Sequence, residues 1–417
     1  MRVLWFEINR PLRYKKGLRI TGGWQDALED YVLNVPEIEL VVAFEGEEGD
    51  TEVHIVDGIT YVPIHLDYSW RERLSLMWDW DVNASKLIPQ MESIVDRFKP
   101  DIIHVFGTEW PFGLIAERVD IPVVIHIQGA MIPLNNAICP PGYSRYTLAQ
   151  SVPLRYLRTK VLFFLEAWKK NDSRARMEER VWKAADNYMG RTSWDESLSS
   201  ILHSGRRYFH VEEALRPSFS RPDAPQWHPA TSGKVRLMTT GCYNFWKGPD
   251  MLLKTAHILR DSGFDFEWLV AGQMPPLVKR VVELHEKMRF EDNHVRFIGH
   301  TEPDQLAELL SGSTLYVHTS YLENSPNAVC EAQIIGVPVV ATNVGGVPSL
   351  VENGKDGVLV PANDPWQMAA AIMQLAIDSQ KLMQYSANAR KRAIARHAKE
   401  NVVAQLLACY SSLVEKN

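Results

Sequence analysis

Short apolar runs alternating with helical patterns recur along this chain, and that rhythm restricts its fold more than any other feature. Residues 3–8, 39–44, 102–106 and 123–127 are rich in Val, Ile, Leu and Phe, as strands buried on both faces are. Helical stretches between such strands give βαβ units, and these give parallel sheets. A second series follows at 235–239, 266–271, 294–298, 314–319 and 339–342, with helices such as 251–262 and 303–312 between its strands. Between the two series, RPSFSRPDAPQWHPATSG at 216–233 turns to Pro, Ser, Asp and His, a linker composition. A chain of 417 residues also exceeds what one hydrophobic core usually organises. Two Rossmann-like α/β domains are therefore expected, 1–215 and 234–395, joined by 216–233 and followed by a helical segment at 396–417.

Charge and cysteine usage remove several functional classes. A net charge of -6 gives no global attraction to nucleic acid. Cys139, Cys242, Cys330 and Cys409 lie far apart with no Cys-x-x-Cys pair, which argues against a disulfide scaffold or a zinc site. The start, Arg2-Val3-Leu4-Trp5-Phe6, is interrupted too quickly for a signal peptide, and no apolar run reaches the roughly 20 residues of a membrane span. A cytoplasmic protein is expected.

The stretch 321–364, YLENSPNAVCEAQIIGVPVVATNVGGVPSLVENGKDGVLVPAND, concentrates the chemistry. Ser325 and Pro326 read as N-cap and first helical residue, so a helix begins just after Glu323 and carries Glu331 about two turns on. Amides at a helix start suit a diphosphate. Gly336-Val337-Pro338 ends the helix, 339–342 reads as a buried parallel strand, and Gly345-Gly346 turns the chain at its C-terminal end, where open α/β sheets bind ligands.

Glu323 and Glu331, eight apart and followed by Gly-x-Pro-Val-Val-Ala and a Gly-Gly turn, resemble the Glu-x7-Glu signature of retaining GT-B glycosyltransferases of family four. The resemblance is strong over 241–364, moderate over 99–129 and weak over 46–98. It implies a fold of two Rossmann-like domains facing across a cleft, with nucleotide mainly on the C-terminal domain and acceptor on the N-terminal one, and final helices that cross back. It implies that Glu323 and the amides after it hold the transferred sugar, and that Glu331 accepts hydrogen bonds from the ribose. Ser325 and Asn327, at the helix start, join the expected donor-binding set. The expected reaction is a retaining, metal-independent, hexosyl-type transfer from a nucleotide-diphosphate sugar, by front-face attack assisted by the departing phosphate. No cofactor beyond that co-substrate is expected.

Gly241-Cys242-Tyr243-Asn244-Phe245-Trp246-Lys247-Gly248 stands where the family commonly has Gly-Arg-Leu-x-x-x-Lys-Gly. Lys247 matches the diphosphate lysine, whereas Cys242 replaces the usual arginine. Arg191, in Gly190-Arg191-Thr192-Ser193-Trp194-Asp195, resembles a segment of bacterial surface-polysaccharide enzymes. It is weighed as a substitute cation against an interdomain salt bridge. Gly22 and Gly23 precede a helix and let backbone approach a ligand closely, and the resemblance implies that this loop lies near the diphosphate and acceptor. His126, ending a buried strand, is expected to contact the sugar. His104, within the preceding strand, is the weaker candidate. Glu109 is placed on the acceptor side. Asp79-Trp80-Asp81 lies in a helix-like stretch without a preceding buried strand, so it is read as solvated carboxylates and no metal site is inferred.

The stretch 152–170, VPLRYLRTKVLFFLEAWKK, mixes basic and apolar residues. It suggests peripheral contact with an anionic inner membrane face and a lipid-linked or other saccharide acceptor. Two other classes remain open here. A sugar-nucleotide isomerase on the same plan needs further acid/base groups; a non-catalytic partner of the same fold draws support from Cys242 alone.

Overall fold

The apolar runs of the first half become strands because both of their faces are covered. Val3, Leu4, Trp5 and Phe6 are at most 1% exposed, as are Ile102, Ile103 and Val105. The computed structural model describes all residues except 15–22, 48–49, 51, 77, 145, 148–169, 230–232 and 416–417. It divides into two units, one of Met1–Asn135, Phe164–Ala214 and His397–Asn417, the other of Asn136–Phe163 and Leu215–Arg396.

The first unit holds β1 (Arg2–Glu7), β2 (Glu39–Glu45), β3 (His54–Val56), β4 (Ile59–Ile64), β5 (Ile102–Phe106), β6 (Val123–His126), β7 (Asn187–Gly190) and β8 (Arg207–His210). Their order is β3-β4-β2-β1-β5-β6-β7-β8, parallel throughout except for the edge pair β3/β4. Asp57 and Gly58, with φ of 51° and 86°, make the two-residue turn of that hairpin. Helix Lys399–Val414 belongs to this unit. It buries Val402, Leu406, Cys409 and Tyr410 with Val3, Trp5 and Leu28, and Trp5 Nε1 donates to Tyr410 Oη at 3.1 Å.

The second unit holds β9 (Val235–Thr240), β10 (Phe266–Ala271), β11 (Val295–Gly299), β12 (Leu315–His318), β13 (Val339–Thr342) and β14 (Gly357–Val360). This sheet is wholly parallel, in the order β11-β10-β9-β12-β13-β14. Residues 216–233, read from composition as linker, belong to this unit where described. Trp227 is 6% exposed, and its Nε1 donates to the Ser313 carbonyl at 2.7 Å.

The two sheets share a property that locates binding sites. In the second, the chain steps outward from β9 through β10 to β11, then returns to the other side of β9 and continues outward from β12. In the first, β1 and β5 stand in the same relation. The crevice at the carboxyl ends of such a strand pair is where open α/β sheets bind ligands.

Candidate active site

In the second unit the reversal point is flanked by the loops after β9 and β12, and these carry Lys247 and Glu323. The two loops are tied by backbone: Tyr321 N donates to the Trp246 carbonyl at 2.7 Å, and Thr319 Oγ1 to the Lys247 carbonyl at 3.0 Å. Gly248 is required by that approach. Its φ is +71°, and a Cβ there would overlap the Thr319 carbonyl.

Lys247 Nζ donates to both oxygens of Glu323, at 2.8 and 3.0 Å. Ser320 Oγ donates to Glu323 Oε1 at 2.5 Å, and His318 Nε2 lies 3.1 Å from the same oxygen. Burial alone would raise the Glu323 pKa. The Lys247 charge and the His318 hydrogen bond outweigh it and hold the carboxyl well below its ordinary range. Burial would likewise lower Lys247, but Glu323 keeps it raised. This site is therefore an ionised pair at neutral pH.

The helix carrying the second glutamate spans Asn327–Ile335, one residue later than expected. Pro326, with φ -72° and ψ 108°, is the capping residue in place of Ser325. An extended ψ at Pro326 keeps it outside the helix, so the first helical residue is Asn327, which is half-buried. The helix ends at Gly336 with φ 94°, as expected. Glu331 is 3% exposed and takes Arg216 Nε at 2.8 Å and Nη2 at 2.7 Å on Oε1. The sequence reading missed Arg216 as a partner, because nothing in a Pro-rich stretch marks one arginine as buried against a helix 115 residues away.

Gly345 and Gly346 support the first glutamate directly. Gly346 N donates to the Glu323 carbonyl at 3.0 Å, and Gly345, at φ +50°, packs against the Glu323 backbone. Cys242 is 4% exposed, its thiol 3.8 Å from the Lys247 carbonyl. It packs inward and supplies no cation. A cavity of about 740 Å³ adjoins this edge, lined by Gly272, Gln273, Met274, Pro275, Phe297 and Gly299 among others.

In the first unit, His126 is fully buried. Its ring lies 4.8 Å from Trp24 and 5.4 Å from His104. Neither ring nitrogen has a hydrogen-bond partner among the described residues. Burial, together with His104 and Arg191, pushes its pKa well below the ordinary histidine value, so the imidazole is neutral. His104 places Nδ1 2.6 Å from Tyr410 Oη, inside the core of this unit.

Glu109 follows β5. Its carboxylate lies over Gly107 and Gly129, where a Cβ on Gly129 would approach within 2.5 Å. Burial raises its pKa, opposed by backbone amides and by Arg174 and Arg191. Gly23 is exposed and begins helix Trp24–Val32; its N–H donates to Asp26 at 3.0 Å. The expectations for Gly22 and for 152–169 fall outside the described residues.

Arg191 is committed to the fold. Nη1 donates to Glu213 at 2.8 Å and Nη2 to the Ile127 carbonyl at 3.1 Å, with side chains 2% and 0% exposed in the pair. Its guanidinium also covers the Trp24 ring at 4.7 Å. The motif around it is a capping box: Asp195 accepts from the amides of Arg191 and Thr192 at 2.8 and 3.0 Å. The ion pair of Arg191 thus lies within the first unit, where an interdomain salt bridge was the alternative weighed. Arg191→Ala is expected to destabilise the protein by about 3 kcal/mol in urea denaturation, because the buried Arg191–Glu213 pair would lose one of its members. Asp79 and Asp81 serve a helix start: Asp81 opens Asp81–Phe98 and pairs with Arg180 at 2.9 Å.

Comparison with known proteins adds to this geometry. A family model described as "Glycosyl transferases group 1" matches residues 221–392. A D-inositol 3-phosphate glycosyltransferase of Corynebacterium urealyticum is 32% identical over 40% of this chain and 40% of its own length. The match thus spans about two fifths of that relative. Among solved structures, sucrose-phosphate synthase from Thermosynechococcus elongatus has a TM-score of 0.75 at 16% identity, over 100% of both chains. Anabaena HepE in complex with UDP and glucose has a TM-score of 0.64 at 16% identity, over 99% of this chain and 100% of its own. At such identity the likeness speaks for the fold, and it bears out the expected GT-B class.

Proposed function

Because residues 221–392 match the family model for glycosyl transferases group 1, we propose that the protein moves a sugar from a nucleotide-diphosphate sugar to a saccharide or lipid-linked acceptor, in polysaccharide or glycoconjugate biosynthesis. The observation that carries this reading is the Lys247–Glu323 pair at the reversal point of a parallel sheet, beside a helix start and Glu331. The diphosphate takes Lys247 and the amides near Asn327. Glu331 accepts from the ribose, and Glu323 from the hydroxyls of the transferred sugar. Ser325 stays in the proposed donor set as part of the loop between them. The cavity beside Gly272 and Gly299 suits the base in size and apolar lining.

On the first unit, His126 is the proposed sugar-side group, supported by its two unpartnered ring nitrogens. Glu109 is proposed for the acceptor and Gly23 for the diphosphate. Transfer is proposed to retain anomeric configuration and to need no metal, since Lys247 and helix amides neutralise the leaving diphosphate. Residues 152–170 carry the proposal of peripheral membrane contact on sequence alone.

The test is transfer from a UDP-sugar with and without EDTA, with the product's anomeric configuration read by NMR. The expected result is unchanged turnover in EDTA and an axial donor sugar that remains axial. Loss of turnover in EDTA, or inversion, contradicts the proposed chemistry.

A further inference from the structure

The two carboxylate oxygens of Glu323 are not equivalent. Oε1 accepts from Ser320 Oγ at 2.5 Å, Lys247 Nζ at 2.8 Å and His318 Nε2 at 3.1 Å. Oε2 accepts from Lys247 at 3.0 Å, its one donor among the described residues. Lys247 bridges both oxygens, so it neutralises the carboxylate without deciding which oxygen points where. Ser320 and His318 touch Oε1 alone and therefore set the orientation.

His318 is built for that task. It is the last residue of β12 and 3% exposed. Its ring stacks on Tyr316 at 6.2 Å, and the Tyr316 hydroxyl lies 3.5 Å from Nδ1 and 3.2 Å from Thr240 Oγ1 on neighbouring β9. A carboxylate only accepts hydrogen bonds, so Nε2 carries the proton that faces Glu323. The ring is thus held on one side by the sheet and on the other by the glutamate.

We propose that His318 is a positioning residue of the donor site: it pins Oε1 to the sheet, leaving Oε2 for a hydroxyl of the transferred sugar. It has a second task when the donor arrives. Glu323 is 8% exposed, and a carboxylate buried to that degree needs donors to remain ionised. As Lys247 turns towards the diphosphate, His318 and Ser320 are the donors that stay. The inference rests on the reading of Glu323 as the glutamate that holds the sugar.

Titration calorimetry with UDP and UDP-glucose tests it on wild type, His318→Leu and His318→Gln. Affinity for UDP-glucose is expected to fall about tenfold in His318→Leu while affinity for UDP is unchanged, the scale of one hydrogen bond to a charged group. His318→Gln, whose amide can still donate, recovers most of the loss. In a Glu323→Ala background, His318→Leu costs nothing further, because the two residues act as a unit. Where the leucine variant does not fold, His318→Asn, polar but too short to reach Oε1, carries the same expectation. A loss shared equally by UDP and UDP-glucose, an equal loss in His318→Gln, or no loss overturns the inference. Failure of the donor-site reading shows separately, as a wild type that binds none of the UDP-, GDP-, ADP- and TDP-sugars, and takes the inference with it.

Discussion

Glu323→Ala is expected to slow sugar transfer about a thousandfold while free UDP binds within a few-fold of wild type, as for loss of a preorganised group that acts at the reacting sugar. The split follows from where Glu323 sits. Its carboxylate is oriented by Ser320, His318 and Lys247, whereas Glu331 is the residue proposed for the ribose side of the donor. Glu323→Gln keeps the shape but loses the charge opposite Lys247, and an intermediate loss is expected. UDP release from a UDP-sugar, compared with calorimetric UDP affinity, separates the two effects. Loss of both in proportion would make Glu323 a structural residue.

Gly345→Ala is the second large effect, expected to lower stability by about 4 kcal/mol and to abolish donor binding. A Cβ there overlaps the Glu323 carbonyl oxygen, with the Glu323 carbonyl carbon at 3.0 Å and its nitrogen at 3.2 Å, and φ is +50°. Backbone meets backbone, so neither side can yield without moving Glu323. Gly354 is the control: φ is +79°, but a Cβ meets nothing within 4 Å. Gly354→Ala is expected to cost only about 1 kcal/mol. Thermal melts of both variants read the difference, and similar melts for both would show that the Gly345 contact does not constrain the glutamate.

The parts of this protein that were legible in its sequence are those with a repeating physical cause. Runs such as IIHVF and VVAT announce strands because a parallel sheet must be apolar on both faces, and both form where expected. Gly336 announces its helix end because the left-handed cap there favours glycine. Asp57-Gly58 carried an ordinary hairpin signal that went unread in a stretch of weak patterning. What was not legible depends on the third dimension. Arg216 meets Glu331, and Arg191 meets Glu213, through folding that no spacing encodes. His318 lies on a strand where a histidine reads as one more buried side chain, until Glu323 folds back beside it. Cys242 was visible as a departure, whereas its inward burial was not.

The central claim is that the second unit seats a nucleotide sugar on Glu331 and its neighbours. It is tested most directly by thermal shift of wild type and Glu331→Ala with UDP-, GDP-, ADP- and TDP-sugars. The expected result is a rise in melting temperature with one nucleotide class in wild type and its disappearance in Glu331→Ala. No rise with any of them, or an equal rise in the variant, would contradict the account.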